Sequence, residues 1–287
     1  MKRLCFGLIA AVLPGYIQAN VLTKTEQTVS AYAPSSYGVS LSHYMGARDD
    51  SDPVSAMSLS MSWKVQEHWN IGVAQPFSKL YVINSGEEEF TPSDTRFSLS
   101  RSFEDLYQGW DLSAGFGLTA PVSEFSRLQG VLTKTSLSLS LSQGFFDDAL
   151  SVSIGPGFGY QFNRYSTTKT DNGSNGGNPM RQYNWSFGGS ASYKILEKLS
   201  ANSSIAYTQV YYEDLGLRSK QGTATGNALL NEDYAIDLSL AYQLTDKIAL
   251  KGGYNQSDIV EKLYGRQEVY FFDEYATQYY VGMNAVF

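Results

Sequence analysis

Residues 57–65 read MSLSMSWKV, and their alternation decides the fold. Met57, Leu59, Met61, Trp63 and Val65 are separated by Ser58, Ser60, Ser62 and Lys64. A period of two puts one set on each face of an extended strand. The pattern returns at 136–142, where Leu137, Leu139 and Leu141 alternate with serines. It returns again where Tyr234, Ile236, Leu238, Leu240, Tyr242 and Leu244 alternate with Ala235, Asp237, Ser239, Ala241 and Gln243. The polar members are mostly Ser, Gly, Ala and Asn, whereas a soluble sheet with one wet face is expected to carry many Lys, Glu and Thr there. Small polar side chains suit a concave interior. Apolar side chains outside and small polar ones inside is the inverted pattern of a transmembrane barrel; a soluble sandwich is the competing reading of the same alternation.

About twelve such segments follow one another, near residues 35–46, 54–65, 69–78, 94–103, 110–120, 133–144, 149–162, 183–195, 199–211, 231–244, 248–257 and 275–287. Each is long enough to cross a bilayer when tilted by about 45°. The count is even, as a bacterial barrel with both termini in the periplasm requires. Closure follows from energetics, because an unpaired strand edge in hydrocarbon leaves N–H and C=O groups unsatisfied at several kcal/mol each. The expected fold is therefore all-β: a closed antiparallel transmembrane β-barrel over 35–287, with short periplasmic turns and long extracellular loops.

Three short turns share one spacing. Between the outward pairs Val65 and Trp69, Ile195 and Leu199, and Leu244 and Ile248 stand three residues each, and an odd insert keeps apolar residues outside on both arms. The segments Glu104 to Gly109 and Phe146 to Ala149 make the other two. Long connections are expected at Asp49 to Pro53, Lys79 to Ser93, Pro121 to Leu132, Arg164 to Gln182, Tyr212 to Leu230 and Asp258 to Glu274. Thr170 to Pro179, with Gly173, Gly176 and Gly177, is the most disorder-like in composition.

The 287 residues are 43% hydrophobic and only 17% charged, with a net charge of −7. That balance excludes a disordered chain and argues against a nucleic-acid partner, which needs clustered positive charge. Residues 1–19 have the layout of a secretory signal: Lys2 and Arg3, an apolar run from Leu4 to Leu13, and Ile17-Gln18-Ala19 at the cleavage position. The only cysteine, Cys5, falls inside that run. A polar segment at 20–34, carrying Thr23, Thr25, Thr28 and Ser30, precedes the barrel and either enters the lumen as a partial plug or stays in the periplasm.

The chain end adds an independent signal. Tyr279, Val281, Met283, Ala285 and Phe287 share one strand face, opposite Gln278, Gly282 and Asn284. Here the sequence resembles bacterial outer-membrane β-barrel proteins, whose last strand ends in an aromatic residue preceded by alternate apolar positions. The resemblance implies the outer membrane of a Gram-negative bacterium, a multi-pass chain, and insertion by the barrel-insertion machinery through a motif of Tyr279, Val281, Met283 and Phe287. Trp63, Trp69, Trp110 and Tyr193 lie near short turns, where an interfacial aromatic girdle is expected. Arg101 falls on the lipid-facing parity, close to the same boundary.

Strand parity assigns Lys64, Arg96, Asp111, Lys134, Lys194, Asp237 and Lys251 to the lumen, which suggests a wet interior favouring anionic solutes. Pairing of these charges in a plugged barrel is the competing reading. Chemistry has few candidates. His68 sits in a turn. His43 faces outward near the extracellular edge, as the base of a serine–histidine lipid hydrolase would, but its outward neighbours on the next strand are Met57, Leu59 and Met61, with no nucleophile among them. Asp49 and Asp50 beside His43 would be the carboxylates of an aspartate–histidine protease; adjacent loop carboxylates are more commonly solvated. The acidic runs Asp49-Asp50-Asp52 and Glu87-Glu88-Glu89 have no histidine at fixed offset, so neither a metal site nor a cofactor is expected. Loose association of these runs with divalent cations and lipopolysaccharide phosphates is the expectation they carry. The expected function is a passive channel for small polar or anionic solutes, with outer-membrane lipid and lipopolysaccharide as surroundings. The alternatives are an adhesion, receptor or structural barrel, and a lipid hydrolase.

Overall fold

A computed structural model describes residues 37–48, 51–66, 68–80, 90–169, 175–213, 230–259, 261–263, 266–268 and 277–286. The segment 1–19 expected to be a secretory leader, the polar segment at 20–34, Phe287, Asp49, Asp50 and Glu87 to Glu89 lie outside the described residues. In chain order the elements are β1 (Tyr37–Arg48), β2 (Ser51–Gln66), β3 (Trp69–Leu80), β4 (Phe90–Pro92), β5 (Thr95–Tyr107), β6 (Trp110–Ala120), α1 (Glu124–Gln129), β7 (Val131–Phe145) and β8 (Leu150–Asn163). There follow β9 (Thr167–Lys169), β10 (Asn175–Pro179), β11 (Arg181–Leu196), β12 (Leu199–Tyr212), β13 (Leu230–Thr245), β14 (Ile248–Ile259), β15 (Glu261–Leu263), β16 (Arg266–Glu268) and β17 (Thr277–Val286).

Twelve of these strands form one closed antiparallel barrel. Closure is made by β1, whose Leu41 stands opposite Leu59 of β2 on one side and Ala285 of β17 on the other. The remaining strands are short annexes: β4 extends the edge of β3, and β9–β10 and β15–β16 are small hairpins within long connections.

The outer face is apolar and uncovered by protein. Leu59, Leu139, Ile205, Leu240 and Val281 are 44%, 48%, 56%, 54% and 68% exposed. Only seven hydrophobic residues are buried among those described, while Ser40, Ser42, Ser204, Asp237, Ser239 and Asn255 are buried on the inner wall. A soluble sandwich would bury these leucines between sheets. Exposed apolar area on this scale requires a hydrocarbon surrounding.

The three matched turns share one construction. Lys64 pairs with Asn70 but Gln66 with Trp69; Lys194 pairs with Ser200 but Leu196 with Leu199; Gln243 pairs with Ala249 but Thr245 with Ile248. Each three-residue insert is therefore one paired residue, Gln66, Leu196 or Thr245, followed by a two-residue loop, and the residue just before it, Val65, Ile195 or Leu244, is bulged. The bulge restores the parity that an even loop would break. The carbonyls of these turns also tie the hairpins together: His68, Lys198 and Lys247 accept from the N–H groups of Ser102, Gln243 and Val286.

Several expectations about the connections change. The first is not long: β1 runs to Arg48, which already pairs with Ser51. The Asp- and Pro-rich composition of 49–53 looks like a loop, yet Pro53 is accommodated within β2. Strand β5 continues to Tyr107 and the turn is Gln108-Gly109, the irregular register being absorbed between Phe103 and Tyr107. The segment 121–132 contains a helix, α1, capped by the Ser123 side chain and closed by Gly130 at φ 75°. Asn175–Pro179, glycine-rich and disorder-like in composition, is strand β10 paired with β9.

Candidate functional site: the inner wall and its charges

The inner wall is built from an interlock of glycine and serine. One row around the barrel runs Gly72, Ser98, Gly117, Ser136, Gly159 and Asn184, each residue opposite the next on adjacent strands. In this row each glycine leaves space that a neighbouring polar side chain uses. A Cβ on Gly117 would stand 2.3 Å from the Ser136 hydroxyl, one on Gly72 2.5 Å from that of Ser98, and one on Gly159 2.6 Å from Asn184 Oδ1. The small residues keep these side chains close to the wall.

Two charge clusters interrupt this surface. In the first, Asp237 of β13 accepts from Lys251 Nζ at 3.3 Å and from the Tyr280 hydroxyl at 2.7 Å, while Lys251 Nζ lies 5.2 Å from the centre of the Tyr280 ring. Asp237 and Tyr280 are buried. In the second, Asp94 between β4 and β5 gathers donors from the α1 connection. Ser123 donates its N–H at 3.1 Å and its hydroxyl at 2.6 Å, Ser126 its hydroxyl at 2.6 Å, and Lys134 its ammonium at 3.3 Å. Burial raises the Asp94 pKa, but the Ser123 and Ser126 hydroxyls, the Lys134 charge and the Ser123 N–H together outweigh it and hold the carboxyl below its ordinary value.

The other residues assigned to the lumen are dispersed. Arg96 is half-buried, shares the cross-strand partner Thr119 with Lys134, and is itself engaged. Lys64, Asp111 and Lys194 are exposed near the short-turn end, where Asp111 accepts the Asp105 N–H at 2.9 Å. Trp63, Trp69, Trp110 and Tyr193 are on the strand segments adjoining the short turns. Arg101 places its guanidinium 5.3 Å from the Trp69 ring centre and 4.6 Å from that of Phe103, so aromatic faces receive the charge that parity directs outward. Tyr279, Val281 and Met283 are exposed on the outer face.

A second aromatic cluster, at the opposite end of the barrel, was not read from the sequence. Tyr183 stacks on Tyr211 at 4.5 Å, Phe158 on Tyr183 at 6.3 Å, and Trp185 meets Tyr207 edge-on at 6.2 Å. Gln209 bridges it, donating to the Tyr207 hydroxyl and accepting from that of Tyr211. The signal was present as same-parity aromatics on β8, β11 and β12, but their contact depends on register.

The environment of His43 also differs from expectation. Its Nε2 lies 2.5 Å from the Ser55 hydroxyl. Ser55 has the outward parity of Met57 and Leu59 and stands opposite Met45, diagonal to His43. The serine is missed when β2 is started at residue 54, because Ser55 then falls at the strand end. Among the described residues no group of three metal-ligating side chains occurs.

A closed barrel with an apolar outer belt and a small, polar, charge-bearing inner wall defines an outer-membrane β-barrel protein. The fold is similar to that of an outer membrane channel from Pseudomonas putida F1, with TM-score 0.61 and 12% identity over 89% of this chain and 97% of that one. It is also similar to the NanC porin, with TM-score 0.52 and 15% identity over 85% of this chain and 98% of that one. No protein-family model and no curated protein matches the chain.

Proposed function

We propose that the protein is a passive channel for small polar solutes in the outer membrane of a Gram-negative bacterium, with its short turns in the periplasm. The observation that carries this reading is the inner wall: glycine and serine line it in register, and ionised side chains are placed where only water or a partner makes them affordable. Its mechanism is diffusion along that wall, filtered by the charges and by the long connections at the mouth. The two similar barrels described above are named as a channel and a porin. Lys134 and Lys251 have carboxylate partners, so anion preference rests on Lys64 and Lys194 more than on the whole basic set. Lipid, lipopolysaccharide and the insertion machinery are the partners this setting supplies, the last through the strand carrying Tyr279, Val281 and Met283.

Planar-bilayer recording of the refolded chain tests the proposal. Discrete conductance steps in symmetric salt, with swelling of liposomes in small sugars, are expected. A folded barrel that gives neither is a closed barrel, and the adhesion or structural reading replaces this one; the buried Asp237–Lys251–Tyr280 cluster is the feature that favours that alternative.

A further inference from the structure

We infer that Ser55 and His43 form a nucleophile–base pair on the outer wall, directed at acyl esters of outer-leaflet lipids. The inference rests on the membrane orientation proposed above and not on conduction through the lumen. Ser55 Oγ and His43 Nε2 are 2.5 Å apart, the reach a general base needs to take a hydroxyl proton.

Depth selects the substrate. Ser55 is ten residues along β2 from Val65, which flanks the periplasmic turn. At ~3.4 Å per residue and a ~45° tilt this is about 24 Å along the membrane normal, close to the ~25 Å height of an outer-membrane apolar belt. The pair therefore stands where acyl chains end and ester carbonyls begin. His43 is opposite Met57 on β2 and Met283 on β17, apolar neighbours that suit an acyl chain. Lys79 is the cross-strand neighbour of Ser55 and shares its face and level by register.

In the reaction, Ser55 Oγ bonds to the acyl carbonyl carbon as its proton passes to His43 Nε2. Collapse breaks the ester C–O bond, and the leaving alcohol takes the proton from His43. Water then attacks the acyl-serine with His43 as base, releasing the fatty acid and restoring the hydroxyl. Ser55 has no exposed surface in the resting barrel, so the ester reaches it only as neighbouring side chains swing aside.

The test is covalent labelling of the folded barrel in micelles with a long-chain alkyl fluorophosphonate, the adduct being located by peptide mass spectrometry. An adduct on Ser55 is expected, absent in Ser55→Ala and slowed by about a hundredfold or more in His43→Ala. Heat-modifiable gel mobility verifies that each variant is folded. No adduct on Ser55 in a folded wild-type barrel, or wild-type labelling in folded His43→Ala, overturns the inference. Conductance of both variants is expected to match wild type, so failure of the channel reading and failure of this one are separately visible.

Discussion

Tyr280 on β17 donates its hydroxyl to Asp237 on β13 at 2.7 Å, reaching over the intervening strand β14 at Gly253. A Cβ on Gly253 would stand 2.7 Å from the Tyr280 hydroxyl and 2.6 Å from the Leu238 carbonyl oxygen. Gly253→Ala is therefore expected to lift Tyr280 off the carboxylate, and Tyr280→Phe to remove the same donor by deletion. Each should lower stability by about 1–3 kcal/mol, the usual consequence of leaving a buried acceptor short of a donor. Because both changes break one contact, the double variant should lose less than the sum. Urea unfolding in vesicles measures all three, and strict additivity would show that the contact does not exist.

Lys251 completes that cluster, and its removal has an electrostatic signature. Lys251→Met leaves Asp237 without its cation. With that positive charge gone, reversal potentials in a salt gradient should move toward cation preference. Neutralising Lys64 or Arg96 should move them the same way, by reducing the positive charge along the path. Reversal potentials that stay at the wild-type value in all three variants would remove these residues from the permeation path.

What could be read from sequence divides along a physical line. Strand faces were legible because side-chain direction alternates locally: Leu137, Leu139 and Leu141 announce their face without knowledge of any partner. Turn parity was legible for the same reason, although the bulges at Val65, Ile195 and Leu244 that implement it were not. Whatever depends on register stayed hidden. The Gly117–Ser136 interlock, the Tyr183–Tyr211 stack and the Ser55–His43 pair each join residues on different strands. The Lys134–Asp94 bridge spans 40 positions in the chain. The six-residue helix α1 is too short to show a helical period, and its Ser123 cap and Gly130 stop were its only local signals.

Asp94 gives the barrel mouth a pH dependence whose sign is fixed. Its carboxyl is held below the ordinary value in the folded chain, so the stabilisation it brings to the α1 connection is complete above the unfolded pKa of ~3.9 and is lost as pH falls through the folded one. Amide protection factors across Ser123 to Gly130, taken relative to the intrinsic exchange rate at each pH, should be high at pH 6 and fall in strongly acidic buffer. Asp94→Asn should show lower protection at pH 6 and a flatter profile, since the amide keeps the shape but loses the charge and one of the two accepting oxygens. Unchanged exchange in Asp94→Asn would show that α1 is held by other contacts.

The face assignment itself can be tested at two adjacent residues of equal depth. Leu139 and Ser140 lie near the middle of β7, the first exposed on the outer face and the second half-buried on the inner one. If the outer face met water, Leu139→Arg would be harmless, because it exchanges an exposed apolar side chain for a solvated one. In acyl chains the same change costs about 2–4 kcal/mol near the bilayer midplane. Ser140→Arg, pointing into a wet interior, should cost less than that and add positive charge along the lumen. Folding equilibria in lipid vesicles should therefore separate two neighbouring substitutions of the same residue type. Equal penalties, or a larger one at Ser140, would reverse the inside and outside of the barrel.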